Sequence, residues 1–182
     1  MYTRLLLILL LGTTLMCSCQ TEPLPVNSLA DRVTEGTSKD RILFRIIADE
    51  NNSSKDYFEI SSEDGKVLIT GNSDLSLSTG LNWYLKYVAG IHLSWNNLSQ
   101  KLPEVLPLPQ ETIRKETSMQ ARYYLNYCTY SYSMAFWDWE RWEKEIDWMA
   151  LHGINMPLSI TGMEVVWYNL LKRLGYTTEE IN

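Results

Sequence analysis

The spacing of apolar and polar positions changes several times along the chain, and each change predicts a different element. Leu5 to Leu11 is a continuous apolar run behind Arg4, too short to cross a bilayer. Gln20 to Lys39 mixes Pro, Ser, Thr, Asn and acidic residues without periodicity and reads as a flexible tether. Short strand-like runs then begin. Ile42 to Ala48, interrupted only by Arg45, suits a largely buried strand, and Tyr57 to Ile60 suits a second. Glu63-Asp64-Gly65 turns into Lys66 to Thr70, which predicts a hairpin. Asp74 sits at a capping position, and Leu77, Leu81, Tyr84, Leu85 and Val88 recur at helical spacing up to Gly90. Ile91 to Trp95 reads as a final strand, giving a small α+β unit of three or four strands with a helix on one face. Pro103, Pro107 and Pro109 mark an extended connection.

Beyond that connection the order becomes strand, helix, strand, helix. Ala121 to Tyr127 is expected to be extended. Asp138 caps a helix whose apolar stripe is Trp139, Trp142, Ile146, Met149 and Ala150, and Gly153 ends it. Ile154 to Ile160 is the next strand. Thr161 and Glu164 have capping-box spacing before a helix bearing Val166, Trp167, Leu170, Leu171 and Leu174, and Thr177 with Glu180 repeats that spacing. The expected division is a signal segment at 1–18, an anchor and tether at 19–40, a small α+β domain at 41–108, a linker at 109–120, and the start of a barrel at 121–182. The fold class is α/β overall, with two βα units of a truncated (β/α)8-type barrel, since a closed barrel takes about 250 residues.

Composition narrows the function classes. Hydrophobic residues make up 45% of the chain, enough for a packed core. A net charge of −6 with no Lys/Arg cluster argues against a nucleic-acid partner. Seven Trp and eleven Tyr, mostly after Arg122, suit stacking on flat apolar ligand faces, although core packing draws on the same residues. Of the cysteines, Cys17 and Cys19 lie at the end of the signal segment and Cys128 stands alone beyond it, so no intramolecular disulfide or zinc spacing is available to it. His92 and His152 are far apart, and neither a metal site nor a cofactor is called for.

The run Leu15-Met16-Cys17-Ser18-Cys19 resembles a bacterial lipoprotein signal, in which Cys19, preceded by small Ser18, becomes the lipidated N-terminus. Simple secretion with cleavage nearby is the alternative. Either reading exports the chain, to the periplasm or to the outer-membrane or cell surface, with a membrane contact through the lipid on Cys19.

A larger resemblance lies between Arg122 and Thr177. Trp137-Asp138-Trp139, Trp142-Glu143, Ile146-Asp147-Trp148-Met149-Ala150 and Gly153-Ile154-Asn155 together resemble the alpha-N-acetylglucosaminidases of glycoside hydrolase family 89. Gly71 to Tyr84 and Ile91 to Trp95 carry the likeness more loosely into the small domain. The resemblance implies a small α/β domain before a (β/α)8-type barrel, and an exo-acting hydrolase that removes terminal alpha-linked N-acetylglucosamine from glycans. It implies retention of configuration by two glutamates, whose carboxyls in retaining enzymes stand about 5–5.5 Å apart. Those glutamates belong to later strands, so the catalytic residues are expected beyond Asn182 and this chain by itself is expected to be inactive.

What remains here is one wall of a sugar pocket. The family pattern implies that Asn126 and Cys128 face the sugar, and a spacing of two puts both on one face if the segment is extended. Asn126 offers a donor and an acceptor to a hydroxyl, while Cys128 would shape the pocket. Read without the resemblance, Asn126 bonds local backbone and Cys128 is an ordinary buried thiol. Tyr130 and Trp137 are further candidates for stacking on a sugar, with loop packing as the alternative. Glu164 is a last candidate that a capping role also explains, and Met163 stands where family members often have Gln. Glu143, Glu145 and Asp147 are expected on a solvated face or in salt bridges. A second function class is a non-catalytic, glycan-binding surface lipoprotein, and a third is a scaffolding module.

Overall fold

The computed structural model describes residues 23–47, 55–159 and 162–181. The signal segment, Cys19, Thr161 and the strand end at Ile160 lie outside the described residues.

The first element falls inside the stretch read as a tether. Helix α1, Pro25–Val33, starts with Pro at its first turn, where the missing N–H costs nothing. Val26, Leu29, Ala30 and Val33 are all buried. They sit at i, i+3, i+4 and i+7, one face of a helix, so periodicity is present beneath the polar composition. That face packs on helix α2, Asp74–Tyr87, and shares its core.

The sheet has four strands in the order β1-β3-β2-β4: β1 Ile42–Ile46, β2 Asp56–Glu63, β3 Lys66–Gly71 and β4 Ile113–Thr117. The expected hairpin joins β2 to β3 in antiparallel register from Phe58↔Gly71 to Glu63↔Lys66. Asp64 and Gly65 both take positive φ, 51° and 74°, which matches the twist of a two-residue hairpin turn. β1 pairs parallel to β3, which leaves β3 central, and its residues Val67 to Gly71 are all buried. The fourth strand is not Ile91 to Trp95, where only a bridge between Ser94 and Asn97 forms. It is β4, within the expected linker, pairing antiparallel with β2. Its central Arg-Lys-Glu run is charged, as an edge strand tolerates, and the ion pairs Arg114–Glu59 (2.7 Å) and Lys55–Glu116 (2.6 Å) flank it.

Helix α2 lies on the sheet with Leu77, Leu81, Tyr84 and Leu85 fully buried, as their spacing predicts. Its cap is Ser73, whose Oγ accepts from the Ser76 N–H at 3.1 Å. Asp74 is therefore the first helical residue, where a carboxylate favours the positive end of the helix dipole. Gly90 takes φ 69° after the helix.

The second part of the chain holds β5 Tyr123–Tyr124, helix α3 Tyr127–Ser131, a 3₁₀ turn at Met134–Phe136, helix α4 Trp139–Leu151, β6 Met156–Pro157, helix α5 Met163–Arg173 and helix α6 Thr178–Ile181. β5 and β6 pair in parallel, with α4 between them in sequence. Asp138 caps α4 by accepting from the Arg141 N–H at 2.9 Å, as expected. Gly162, in a left-handed conformation, caps α5 without a side-chain bond, while the expected capping box of Thr161 falls on a residue outside those described. The Thr177–Glu180 box forms reciprocally: the Thr177 N–H donates to Glu180 at 2.8 Å, and the Glu180 N–H donates back to Thr177 at 3.3 Å.

One correction concerns the face of α4. The expected inward stripe contains Trp139 and Ile146, which are 69% and 45% exposed, while Glu145 and Asp147 are buried at 0% and 4%. The reason is where α4 docks. Its C-terminal end meets α2, where Asn82 Nδ2 donates to the Leu151 carbonyl at 3.1 Å and Leu151 enters the core of the small domain. Asp147 turns toward α1, where it meets Arg32, and Glu145 meets Trp95 of the loop after α2 together with Arg141 of α4 itself. A solvated face or salt bridges were expected for these carboxylates; Glu145 and Asp147 form salt bridges, but on buried faces instead of a solvated one.

Candidate functional site

Strand β5 is placed by Arg122 and Asn155. The Arg122 N–H donates to Asn155 Oδ1 at 2.8 Å, and Asn155 Nδ2 donates to the Gln120 carbonyl at 2.8 Å, so one amide side chain holds the entry of β5 beside β6. The Arg122 guanidinium bonds the Gly153 carbonyl and the Asp56 carboxylate, tying the same point to the small sheet. A parallel pair of two residues per strand is thus reinforced by side chains at its start.

At the other end of β5 the chain turns sharply. Leu125 has φ 72°, a left-handed conformation that costs a residue with a Cβ about 1–2 kcal/mol. The turn ends the strand and delivers Asn126 to the N-cap of α3. Asn126 Oδ1 accepts from the N–H groups of Cys128 (2.9 Å) and Thr129 (3.3 Å). The extended segment that was to put Asn126 and Cys128 on one face is therefore replaced by a helix start. Asn126 spends its acceptor locally, and its side chain is exposed. Cys128 is a free, half-buried thiol in the first turn.

Tyr130 and Trp137 are packed. The Tyr130 hydroxyl donates to the Leu158 carbonyl after β6, and its ring stacks on Trp142 at 6.1 Å between centroids. Trp137 meets Trp142 edge-on at 5.2 Å and lies 4.0 Å from the Arg141 guanidinium. Glu164 is exposed in the first turn of α5. The structure thus brings Asn126, Cys128 and Tyr130 together after β5, with Tyr130 reaching across to β6. Trp137 lies on the other side of Trp142, which links it to Tyr130.

Between these elements lies an open cleft of about 420 Å³, mostly apolar, bordered by Leu125, Tyr130, Trp139, Trp142, Ile146 and Leu158. The α4 stripe faces this cleft, which explains its exposure. Residues 125–130 after β5 and 158–159 after β6 include no Asp or Glu. Among the described residues, no group of three His, Cys, Asp or Glu side chains could hold a metal ion.

A buried polar cluster behind the cleft was missed from sequence. Glu145 Oε2 accepts from Trp95 Nε1 at 2.7 Å and from Arg141 at 3.1 Å, while Oε1 meets no partner with hydrogen-bond geometry. The Arg141 guanidinium lies over both Trp95 (4.3 Å) and Trp137 (4.0 Å). Burial raises the Tyr124 phenol above its ordinary pKa, and the adjacent Glu145 pushes the same way. The only sequence signal was the Arg141–Glu145 spacing of four; nothing local announces Trp95 as the third member.

Residues 24–108 match the family model of the alpha-N-acetylglucosaminidase N-terminal domain, and residues 122–182 match that of the alpha-N-acetylglucosaminidase tim-barrel domain. Human alpha-N-acetylglucosaminidase is 42% identical over 117 residues, covering 64% of this chain and 16% of the human protein. A family 89 glycoside hydrolase from Clostridium perfringens, solved with 2-acetamido-1,2-dideoxynojirmycin, superposes with a TM-score of 0.77 at 41% identity. A variant of that enzyme with two glutamates changed to glutamine, solved with its substrate GlcNAc-alpha-1,4-galactose, superposes equally well. The match covers 86% of this chain but 18% of the Clostridium chain, so the present chain spans under a fifth of its relatives' length.

Proposed function

The chain belongs to the alpha-N-acetylglucosaminidase family, and from that premise we propose that it is the N-terminal part of an exo-acting, retaining glycoside hydrolase that releases terminal alpha-linked N-acetylglucosamine. The observation that carries the reading is the segment from Trp137 to Asn155. It forms a capped helix that returns to a strand parallel to β5, with Asn155 bonded at the strand entry. Parallel strands with helical crossovers are the unit of a (β/α)8 barrel, whose active site gathers at the C-terminal ends of its strands. In this chain those ends hold Asn126, Cys128 and Tyr130. Asn126 contributes free amide donors to a sugar hydroxyl, and Cys128 shapes the wall. Tyr130, Glu164 and Trp137 rank behind Asn126 and Cys128, because Tyr130 and Trp137 are both packed on Trp142 and Glu164 is a helix-start carboxylate.

The acid/base and the nucleophile are proposed to be glutamates on later strands, about 5–5.5 Å apart as direct displacement requires. The export reading is carried forward in the same way: Cys19 as the lipidated N-terminus, holding the protein at the periplasmic or outer face of a membrane. Reading the gene past the codon for Asn182 and assaying its product on a chromogenic alpha-N-acetylglucosaminide tests the proposal. Turnover with retained anomeric configuration is expected. A reading frame without further βα units and a pair of strand-end glutamates, or an inverted product, overturns it. The 182-residue chain alone should show no turnover, and measurable hydrolysis by it would contradict the assignment of the catalytic pair to later strands.

A further inference from the structure

A second cleft, of about 260 Å³, lies where α1, the loop after α2 and α4 meet. Arg32 borders it on α1, Trp95, Asn96, Asn97 and Ser99 on the loop, and Asp147 on α4. It shares no residue with the apolar cleft beside β5 and β6. Its size is just below the range of ligand pockets, about 300–1,000 Å³, and so suits a single sugar ring.

Trp95 is the feature that gives this cleft a ligand class. Trp95 is 46% exposed as a residue, yet it is held: Nε1 donates to the buried Glu145 at 2.7 Å, and the Arg141 guanidinium lies over the ring, 4.3 Å from its centroid, which leaves the opposite face as the one a ligand would use. An aromatic surface fixed before any ligand arrives avoids the ordering cost that a mobile side chain would incur on binding. Beside it, the side-chain amides of Asn96 and Asn97 are exposed and have no hydrogen-bond partner among the described residues. Each supplies two donors and one acceptor, the combination that reads a vicinal hydroxyl pair.

The charges around the cleft are already matched. Arg32 holds Asp147 through two bonds of 2.7 and 2.6 Å, and Lys144, which also borders the cleft, holds Glu140 at 2.8 Å. No cation in the lining is left over for a carboxylate or a sulfate, so the ligand is neutral. We propose that this cleft is a carbohydrate-binding site for a neutral pyranose unit, with Trp95 as the stacking platform and Asn96 and Asn97 as the hydroxyl-reading groups. The site stands independently of the hydrolase reading, because its geometry involves neither strand end.

Titrating the 182-residue chain, kept in solution by Trp167→Glu and Leu174→Lys outside this cleft, with methyl glycosides of N-acetylglucosamine and galactose, and with a methyl glucuronoside as the charged probe, tests this. Saturation-transfer NMR and tryptophan fluorescence are the readouts. Neutral glycosides should bind with a Kd in the millimolar range, and the Asn96→Ala, Asn97→Ala double variant should weaken that binding about tenfold at an unchanged melting temperature. Trp95→Ala should abolish it; because that change also strips Glu145 of a donor, the asparagine pair carries the decision. Absence of saturation transfer from both neutral glycosides, preference for the glucuronoside, or unchanged binding in the Asn96→Ala, Asn97→Ala double variant overturns the proposal.

Discussion

Arg32 and Asp147, 115 residues apart, form a two-pronged ion pair, with Nε to Oδ2 at 2.7 Å and Nη2 to Oδ1 at 2.6 Å. The pair joins α1 to α4, and its two ends differ: Asp147 is buried while the arginine side chain still reaches solvent. Removing one partner should therefore be asymmetric. Arg32→Ala strands a carboxylate in the interior and should cost about 2–3 kcal/mol, below the full cost for a completely buried pair. Asp147→Ala leaves a guanidinium that can turn to water and should cost about half as much. Urea unfolding of both variants checks this, and equal losses would refute the asymmetry.

Gly80 lies in α2 where a Cβ would come 2.8 Å from Ile69 Cγ2 and 3.2 Å from Phe58 Cβ. Helix propensity alone favours alanine by about 1 kcal/mol. Ile69 is fully buried and Phe58 nearly so, so neither can retreat. Gly80→Ala is expected to destabilise by about 1–2 kcal/mol, since overpacking outweighs propensity. A raised melting temperature would show that the helix can shift off the sheet.

Tyr84 carries a pH dependence. Burial pushes its phenol up to about 12, and its hydroxyl donates to the Pro107 carbonyl at 3.0 Å. The folded-state pKa lies above the unfolded value near 10, so the contribution is complete below that unfolded value. It is lost as pH rises through the folded one. Stability should hold to about pH 10 and fall between about pH 10 and 12. Tyr84→Phe should lose about 1 kcal/mol at neutral pH and flatten the alkaline fall. An unchanged alkaline slope in that variant would assign the fall to other groups.

Asn126 separates its two roles by substitution. Asp caps a helix as well as Asn does, because the acceptor oxygen survives, so Asn126→Asp should keep stability within a few tenths of a kcal/mol. Asn126→Ala removes the acceptor for Cys128 and Thr129 and should cost about 1 kcal/mol. In the full gene product Asn126→Asp should still raise KM, since it removes the amide donors. A wild-type KM in that variant would reduce Asn126 to a cap.

The apolar faces of α4 and α5 should drive association. Trp139, Val165, Val166, Trp167 and Leu174 are all more than half exposed, and patches of this kind mark contact surfaces or aggregation sites. The 182-residue chain should scatter light at micromolar concentration, and Trp167→Glu with Leu174→Lys should reduce the scatter without lowering the melting temperature. A monodisperse wild-type preparation would show that these faces are tolerated in water.

Local rules decided much of this chain. The β2–β3 hairpin follows from Asp64-Gly65, because a turn with two positive φ values needs those residue types. The helix starts at Asp138 and Thr177 follow from side chains that reach only three residues ahead. The order of tryptophans and acidic residues from Trp137 to Asn155 carried the family, since such an order is a property of the chain and not of its folding.

Contacts between distant segments decided the rest. Helix α1 has a sound apolar stripe, but its polar composition hid it, and it became legible only once α2 offered a surface to cover. β4 reads as a linker because its charged residues make sense only at the edge of a sheet whose other strands lie far away in sequence. On α4, periodicity identified a stripe but not which neighbour it faces. Docking on α2 and α1 buried Glu145 and Asp147, because Trp95 and Arg32 supplied partners that no local window contains, beside the local Arg141. A charged residue is buried when distant partners arrive with it, and that is information only the tertiary structure holds.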